Sequence, residues 1–209
     1  MSVRYRRLDV PGLDRLEPAS VYYAATENEA RLCTGDPVTI VGGGNSAGQA
    51  AVFLARQAAA VNLVIRHDDL YRDMSRYLAD RVSRTPRVQI WRNCEVSELV
   101  GSATLAAVVV RDLLNGEARP LETTALFVLI GSLPHTTWLQ EQIPLDDKGF
   151  VRTGSARQPA AGMFETGRRG VFAVGDVRSG SVKRVALAVG EGAIAVRQVH
   201  DFLATAGRR

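Results

Sequence analysis

The stretch Pro37–Ala51, PVTIVGGGNSAGQAA, constrains the fold of this chain more than any other. A β-branched run, Val38–Val41, ends in Gly42, Gly43 and Gly44, and an Ala-rich run of helical character follows at once. A strand that breaks at glycines and restarts as a helix is the opening of a dinucleotide-binding βαβ unit. Gly42 lets the chain turn off the strand tip. Gly44, without a Cβ, leaves room for a diphosphate close to the backbone. Ala47 is small enough for the helix to lie tight on the strand. The N–H groups at the helix start, around Asn45 and Ser46, then face the phosphates, and the helix dipole favours their negative charge. A purely structural glycine turn has the same letters. The strand before it and the helix after it favour the nucleotide reading.

The flanking pattern extends this unit. Val61–Ile65 is apolar enough to be buried on both faces, as in a parallel sheet. Met74–Thr85 is charged and amphipathic and is stopped by Pro86, and Val88–Arg92 is a third strand. Strand–helix–strand–helix–strand predicts a right-handed parallel sheet. Glu95–Val100, Leu105–Arg111 and Arg119–Thr123 then read as an antiparallel meander with a tight turn at Asn115-Gly116. Leu126–Ile130 is a further buried strand, ended by Gly131 and Pro134. Beyond it, Leu145–Arg152 reads as a hairpin, Gly170–Val174 as a buried strand closing on Gly175-Asp176, and about Val182 to Ala204 as a helix. Gly190 and Gly192 are costly inside that helix. Their expected use is the close approach of a partner helix or a flat ligand. Residues 1–20 show no periodic apolar face and read as a strap punctuated by Pro11-Gly12 and Pro18. Val21–Ala25 reads as extended, and Thr26–Leu32 as one or two helical turns.

Several function classes are excluded by what the chain lacks. The net charge is only +4 and aromatics are 6%. Arg4, Arg6, Arg7, Arg208 and Arg209 are scattered or terminal, not gathered with stacking aromatics, so nucleic acid is not an expected partner. The longest apolar run, near Ala125–Ile130, is too short to span a bilayer, and the opening residues do not read as a signal peptide. The expected location is the cytoplasm, away from membranes. Cys33 and Cys94 form neither a CxxC nor a metal-ligand spacing and read as reduced packing residues. Asp146 and Asp147 are neighbours in a turn, which does not set two carboxylates about one substrate. His135 and His200 read as loop and surface residues. No catalytic side chain and no metal ligand is assigned.

The tip of the second strand chooses the coenzyme. An NAD site places an acidic residue there for the ribose hydroxyls, about twenty residues past the glycines. Arg66 stands at that distance from Gly44, with His67 beside it. An arginine fork suits a 2′-phosphate, so NADPH is favoured over NADH. The alternative is that Asp68 or Asp69 takes the ribose and Arg66 is a solvated loop residue.

The two glycine motifs together carry a family resemblance. GGGNSAGQAA, the hairpin, LFVLIGSLPHT and GVFAVGDV, in that order, resemble the thioredoxin-reductase-like flavoprotein disulfide reductases, from about Arg4 to Ala204. The resemblance implies an α/β fold: a Rossmann-like NAD(P)-binding parallel sheet with an antiparallel meander, plus the C-terminal part of a FAD-binding domain. It implies residues 1–24 as a strap or linker, 25–130 as the NAD(P)H-binding domain and 131–209 as the FAD part. The implied cofactor-binding set is Gly42, Gly43, Gly44, Asn45, Ser46, Ala47, Gln49, Arg66 and His67 for the nucleotide. Gly131 also belongs to the cofactor-binding set, Gly175 and Asp176 join it for FAD, and Arg184, Val185 and Ala186 lie near the isoalloxazine.

Three departures qualify the resemblance. Nothing before Pro37 supplies the family's separate flavin fingerprint, so the chain is expected to be a member cut just before its NADPH domain. Ala24 and Glu27 stand where the family's redox dithiol would be, and disulfide exchange needs both thiols. Val185 replaces the polar middle residue of the flavin-contacting run, and Gln49 stands where members often have Glu. Two functions follow from different classes. One is an NADPH-dependent flavoprotein oxidoreductase whose acceptor is not a protein disulfide. The other is an NADP(H)-binding module, or one part of a split flavoprotein, with no turnover of its own. The expected partners are a small-molecule nucleotide and either a second copy or a chain supplying the missing FAD segment. A third reading is a remnant exposing apolar surface meant for a missing half.

Overall fold

A computed structural model describes residues 3–154 and 162–206. The chain forms two compact units, one of Tyr5–Gly131 and one of Met1–Arg4 with Ser132–Arg209.

The larger unit is organised by a parallel sheet. Its strands are β2 (Val21–Tyr22), β3 (Pro37–Val41), β4 (Ala60–Val64), β5 (Val88–Trp91) and β9 (Ala125–Val128), in the order β2-β9-β3-β4-β5. Register is even: Val38 faces Val61 on one side and Ala125 on the other. Backbone bonds carry the ladder past the strand ends, from Leu129 N–H to Val41 O at 2.8 Å and from Ile65 N–H to Trp91 O at 2.9 Å. Side chains alternate between two cores, as the twofold period of a strand requires. Val38, Ile40, Val61, Leu63, Ala125 and Phe127 enter one core with α3 (Asn45–Leu54) and α4 (Arg76–Arg84). Val41, Val64, Leu126 and Val128 enter the other. That second core is closed by an antiparallel sheet of β6 (Cys94–Gly101), β7 (Leu105–Asp112) and β8 (Ala118–Glu122). The sheet is therefore covered on both faces, which is why its central strands are apolar on both sides, interrupted by Thr39 in β3 and Asn62 in β4. At the β7–β8 turn the Asp112 carboxylate accepts Leu114 N–H at 2.8 Å, and Asn115 Oδ1 accepts Glu117 N–H at 2.8 Å.

The opening residues depart from the expected absence of an apolar face. Leu13–Ser20 form a helix, α1, whose Leu13, Leu16 and Ser20 are buried against the meander. Ser20 Oγ accepts Leu105 N–H at 3.1 Å, and Pro11 O accepts Leu99 N–H at 3.0 Å. Glu27–Leu32 form α2 behind a capping box of Thr26 and Glu29.

In the smaller unit β1 (Val3–Tyr5) pairs with β10 (Ser132–Pro134). Leu145–Arg152 makes a tight turn closed by one bridge, Leu145 to Val151. The expected strand Gly170–Val174 is not a strand. It is reduced to one isolated antiparallel bridge, Phe172 to Glu165, with Thr166 N–H donating to Val171 O at 2.8 Å and Ala173 N–H to Phe164 O at 2.9 Å, and the pairing extends no further among the described residues. The long helix α5, Val185–Ala206, ends the described chain. Gly190 and Gly192 lie on that helix. Among the described residues, a Cβ at either position would meet nothing within 4 Å. No helix among the described residues is long and apolar enough to cross a membrane.

Candidate functional site

Two clusters are described, one in each unit. In the larger unit Val41 ends β3 and Gly42 takes φ 144°, a conformation that L side chains rarely adopt. Its N–H donates to Val64 O at 3.1 Å, and a Cβ there would collide with the backbone carbonyl of Leu129. Gly43 lies under the His67 ring: a Cβ would stand 2.8 Å from Nε2. Gly44 is the residue before α3, and no side chain caps that helix. The α3 amino end thus keeps bare N–H groups, the usual material of an anion site.

The remaining loop residues divide by task. Ala47 is fully buried against the strand, while Ser46 and Gln49 are exposed. Asn45 turns away from its own helix: its Oδ1 accepts Ser75 N–H at 2.8 Å, just before α4. Gly48, which the sequence reading passed over, fixes the helix pair, because a Cβ there would stand 2.6 Å from Met74 Sδ.

At the tip of β4, Arg66 is largely exposed and lies 3.7 Å from Glu95, which Arg111 also pairs. His67 is 15% exposed and sits 3.2 Å from Asp73 through Nε2. Its Nδ1 is the buried side-chain nitrogen or oxygen left without a hydrogen-bond partner among the described residues. Asp69 is spent on its own turn, accepting Tyr71 N–H at 2.8 Å, and Asp68 is exposed.

In the smaller unit Gly175 (φ 71°) opens a single 3-10 turn, Gly175–Val177. Its N–H donates to Glu191 Oε2 at 2.6 Å, and a Cβ would stand 3.3 Å from Ala188 Cβ. Asp176 is half-buried. Lys183 Nζ lies 3.9 Å from the centre of the Phe150 ring. Burial pulls its amine below the usual lysine range, against Asp176 and Asp146, which raise it. Arg184, Val185 and Ala186 are exposed at the start of α5. Gly131 takes φ 96° at the end of the larger unit, where its carbonyl accepts Arg6 N–H at 3.0 Å.

The thiols take no part in either cluster. Cys33 and Cys94 are buried and free, and burial raises both pKa values. A protonated, enclosed thiol is a poor nucleophile. No group of metal-ligating side chains occurs among the described residues.

The sequence matches the family described as pyridine nucleotide-disulphide oxidoreductase over residues 3–192. It is 32% identical over 206 residues to a thioredoxin reductase of Streptomyces clavuligerus, covering 96% of this chain and 60% of that one. The fold superposes on the thioredoxin reductase of Lactococcus lactis with a TM-score of 0.84 at 23% identity, covering 98% of this chain and 65% of the other. It superposes on that of T. acidophilum with a TM-score of 0.82 at 25% identity, covering 96% and 63%. The chain spans about three fifths of the length of the curated relatives it matches.

Proposed function

The chain belongs to the pyridine nucleotide-disulphide oxidoreductase family, and from that premise we propose that it is a thioredoxin-reductase-like oxidoreductase that binds NADPH at Gly42–Gln49 and works with FAD. One observation carries the nucleotide half. The amino end of α3 emerges uncapped from a glycine turn in which a Cβ on Gly42 would strike backbone. The residues there fit a diphosphate. Bare amides and the helix dipole favour its charge, and the orphaned Nδ1 of His67 is a buried polar atom in want of a partner. Arg66, exposed and only loosely held by Glu95, would take the 2′-phosphate as a bidentate fork. For FAD, Asp176 is a half-buried carboxylate suited to the hydroxyls of a ribityl or ribose chain, with Arg184–Ala186 exposed beyond it. The chemistry such a cofactor pair supplies is hydride transfer from nicotinamide to flavin. The chain's own residues bind and orient. With Cys33 and Cys94 both buried and far apart in sequence, the acceptor in this reading is not a protein disulfide.

A second reading, a nucleotide-binding part of a split flavoprotein, is favoured by α5. Val185, Val189, Ile194 and Val196 on that helix are exposed, the first of them at 84%. Such a surface suits a second copy or a chain carrying the flavin fingerprint.

The test is the visible spectrum and melting temperature of the purified chain. A yellow protein bleached by NADPH supports the oxidoreductase. A colourless protein that NADPH stabilises supports the split part, by linkage of binding to folding. Loss of an Arg66–phosphate contact in Arg66→Ala should weaken NADPH about ten-fold or more and leave NADH unchanged. Equal weakening of both coenzymes would remove Arg66 from the 2′-phosphate.

A further inference from the structure

The turn after Val174 is held by two carboxylates from distant parts of the smaller unit. Glu191, on α5, is 7% exposed. It accepts Gly175 N–H at 2.6 Å, the Arg178 guanidinium at 2.5 and 3.3 Å, and the Ser181 hydroxyl at 3.2 Å. Arg178 also lies over the Phe164 ring, 5.4 Å from its centre. Asp146 accepts the Ser179 hydroxyl at 2.6 Å and the N–H groups of Lys148 and Phe150 at 2.9 Å each. Along Gly175–Ser181, then, Gly175, Arg178, Ser179 and Ser181 each reach a carboxylate.

Such an arrangement is costly for mere packing. A buried ion pair roughly breaks even against apolar residues of the same volume, so its best-attested use is to specify one conformation. Full satisfaction matters for the same reason, because a partly satisfied buried carboxylate is worse than none. Here every partner of Glu191 lies in the turn that carries Asp176, and Asp176 is left out of both clusters.

We infer that Glu191 is a positioning residue: through Gly175 and Arg178 it fixes the turn that offers the Asp176 carboxylate to the hydroxyl-bearing chain of the flavin cofactor, while Asp146 holds the far end through Ser179. The inference deepens the flavin reading above and rests on it.

Two measurements on the whole chain test it separately. Amide hydrogen exchange over Gly175–Ser181, without flavin, reports the conformation of the turn. Titration of FAD, followed by quenching of its fluorescence, reports the ligand. Glu191→Gln should speed exchange in that segment about ten-fold and weaken FAD about ten-fold. NADPH affinity should not move. Unchanged exchange in Glu191→Gln overturns the positioning role whatever FAD does. FAD binding that falls in Asp176→Asn but holds in Glu191→Gln overturns it as well. No FAD binding to the wild type brings down the flavin reading and, with it, the ligand assigned to the turn. Should Glu191→Gln fail to fold, Ser179→Ala at the other carboxylate takes its place under the same outcomes, with effects of about three-fold.

Discussion

The two units solve the same problem differently. Tyr5–Gly131 buries its sheet on both faces, and its alternating side chains fill two cores. Among the described residues, Ser132–Arg209 has one small apolar cluster around Leu139, Ile143, Val151 and Ala173. The turn after Val174 is held by a buried carboxylate, Glu191, and a half-buried one, Asp146, and α5 keeps much of its apolar surface outside. The difference teaches where specificity comes from. In the larger unit, hydrophobic period and glycine placement define the fold almost unaided. In the smaller unit, polar clamps supplement a small core, and they join residues that are far apart in sequence.

The comparison breaks first at Phe127. Phe127→Ala empties the centre of the larger unit's first core and should cost about 3–5 kcal/mol in urea unfolding. Leu139→Ala, in the thin cluster of the smaller unit, should cost about 2 kcal/mol, at the low end for such changes. Equal losses would erase the contrast.

Acid sharpens it next. Glu191 lies below the usual carboxylate range because Arg178 donates to it against the opposing effect of burial. Asp146 lies low because hydrogen bonds from Ser179 and the Phe150 and Lys148 amides outweigh burial. A lowered carboxylate adds stability that is complete above the ordinary carboxylate range and drains as pH falls through the lowered value. The smaller unit should therefore lose structure first on acidification. The chain has two tryptophans, Trp91 in the larger unit and Trp138 in the smaller, so each unit has its own fluorescence reporter. In single-tryptophan variants the Trp138 signal should change at higher pH than that of Trp91. Coincident transitions would show that the units unfold together.

The smallest effect concerns α5. Gly190 faces open space among the described residues, so Gly190→Ala should stabilise the smaller unit by about 0.5–1 kcal/mol in thermal unfolding. A loss of stability on this change would mean that a second surface packs there.

Legibility followed the same division. The β3–α3 unit could be read because three signals coincide within one short stretch: a β-branched run, Gly42–Gly44 and Ala47. The meander showed itself through the Asn115-Gly116 turn. Helix α1 did not, because Pro18 lies inside it and only Leu13 and Leu16 mark its buried face. The run Gly170–Val174 misled because it is apolar enough for a strand but, among the described residues, pairs with its neighbour at a single bridge, Phe172 to Glu165. The pairing of Glu191 with Arg178, and of Asp146 with Ser179, is not legible in the sequence, since no periodicity links residues so far apart. The arginine and the two serines just after Gly175-Asp176 were the available signal, being costly beside an apolar run unless something pairs them.

The bond that Ser75 N–H donates to Asn45 Oδ1 has an electrostatic consequence. It brings the amino ends of α3 and α4 within one side chain of each other, so two positive poles share a neighbourhood and Arg76 adds a full charge at the second. A ligand phosphate arriving there would meet both poles, opposed by the Asp73 carboxylate beside His67, and raising the ionic strength should loosen its hold.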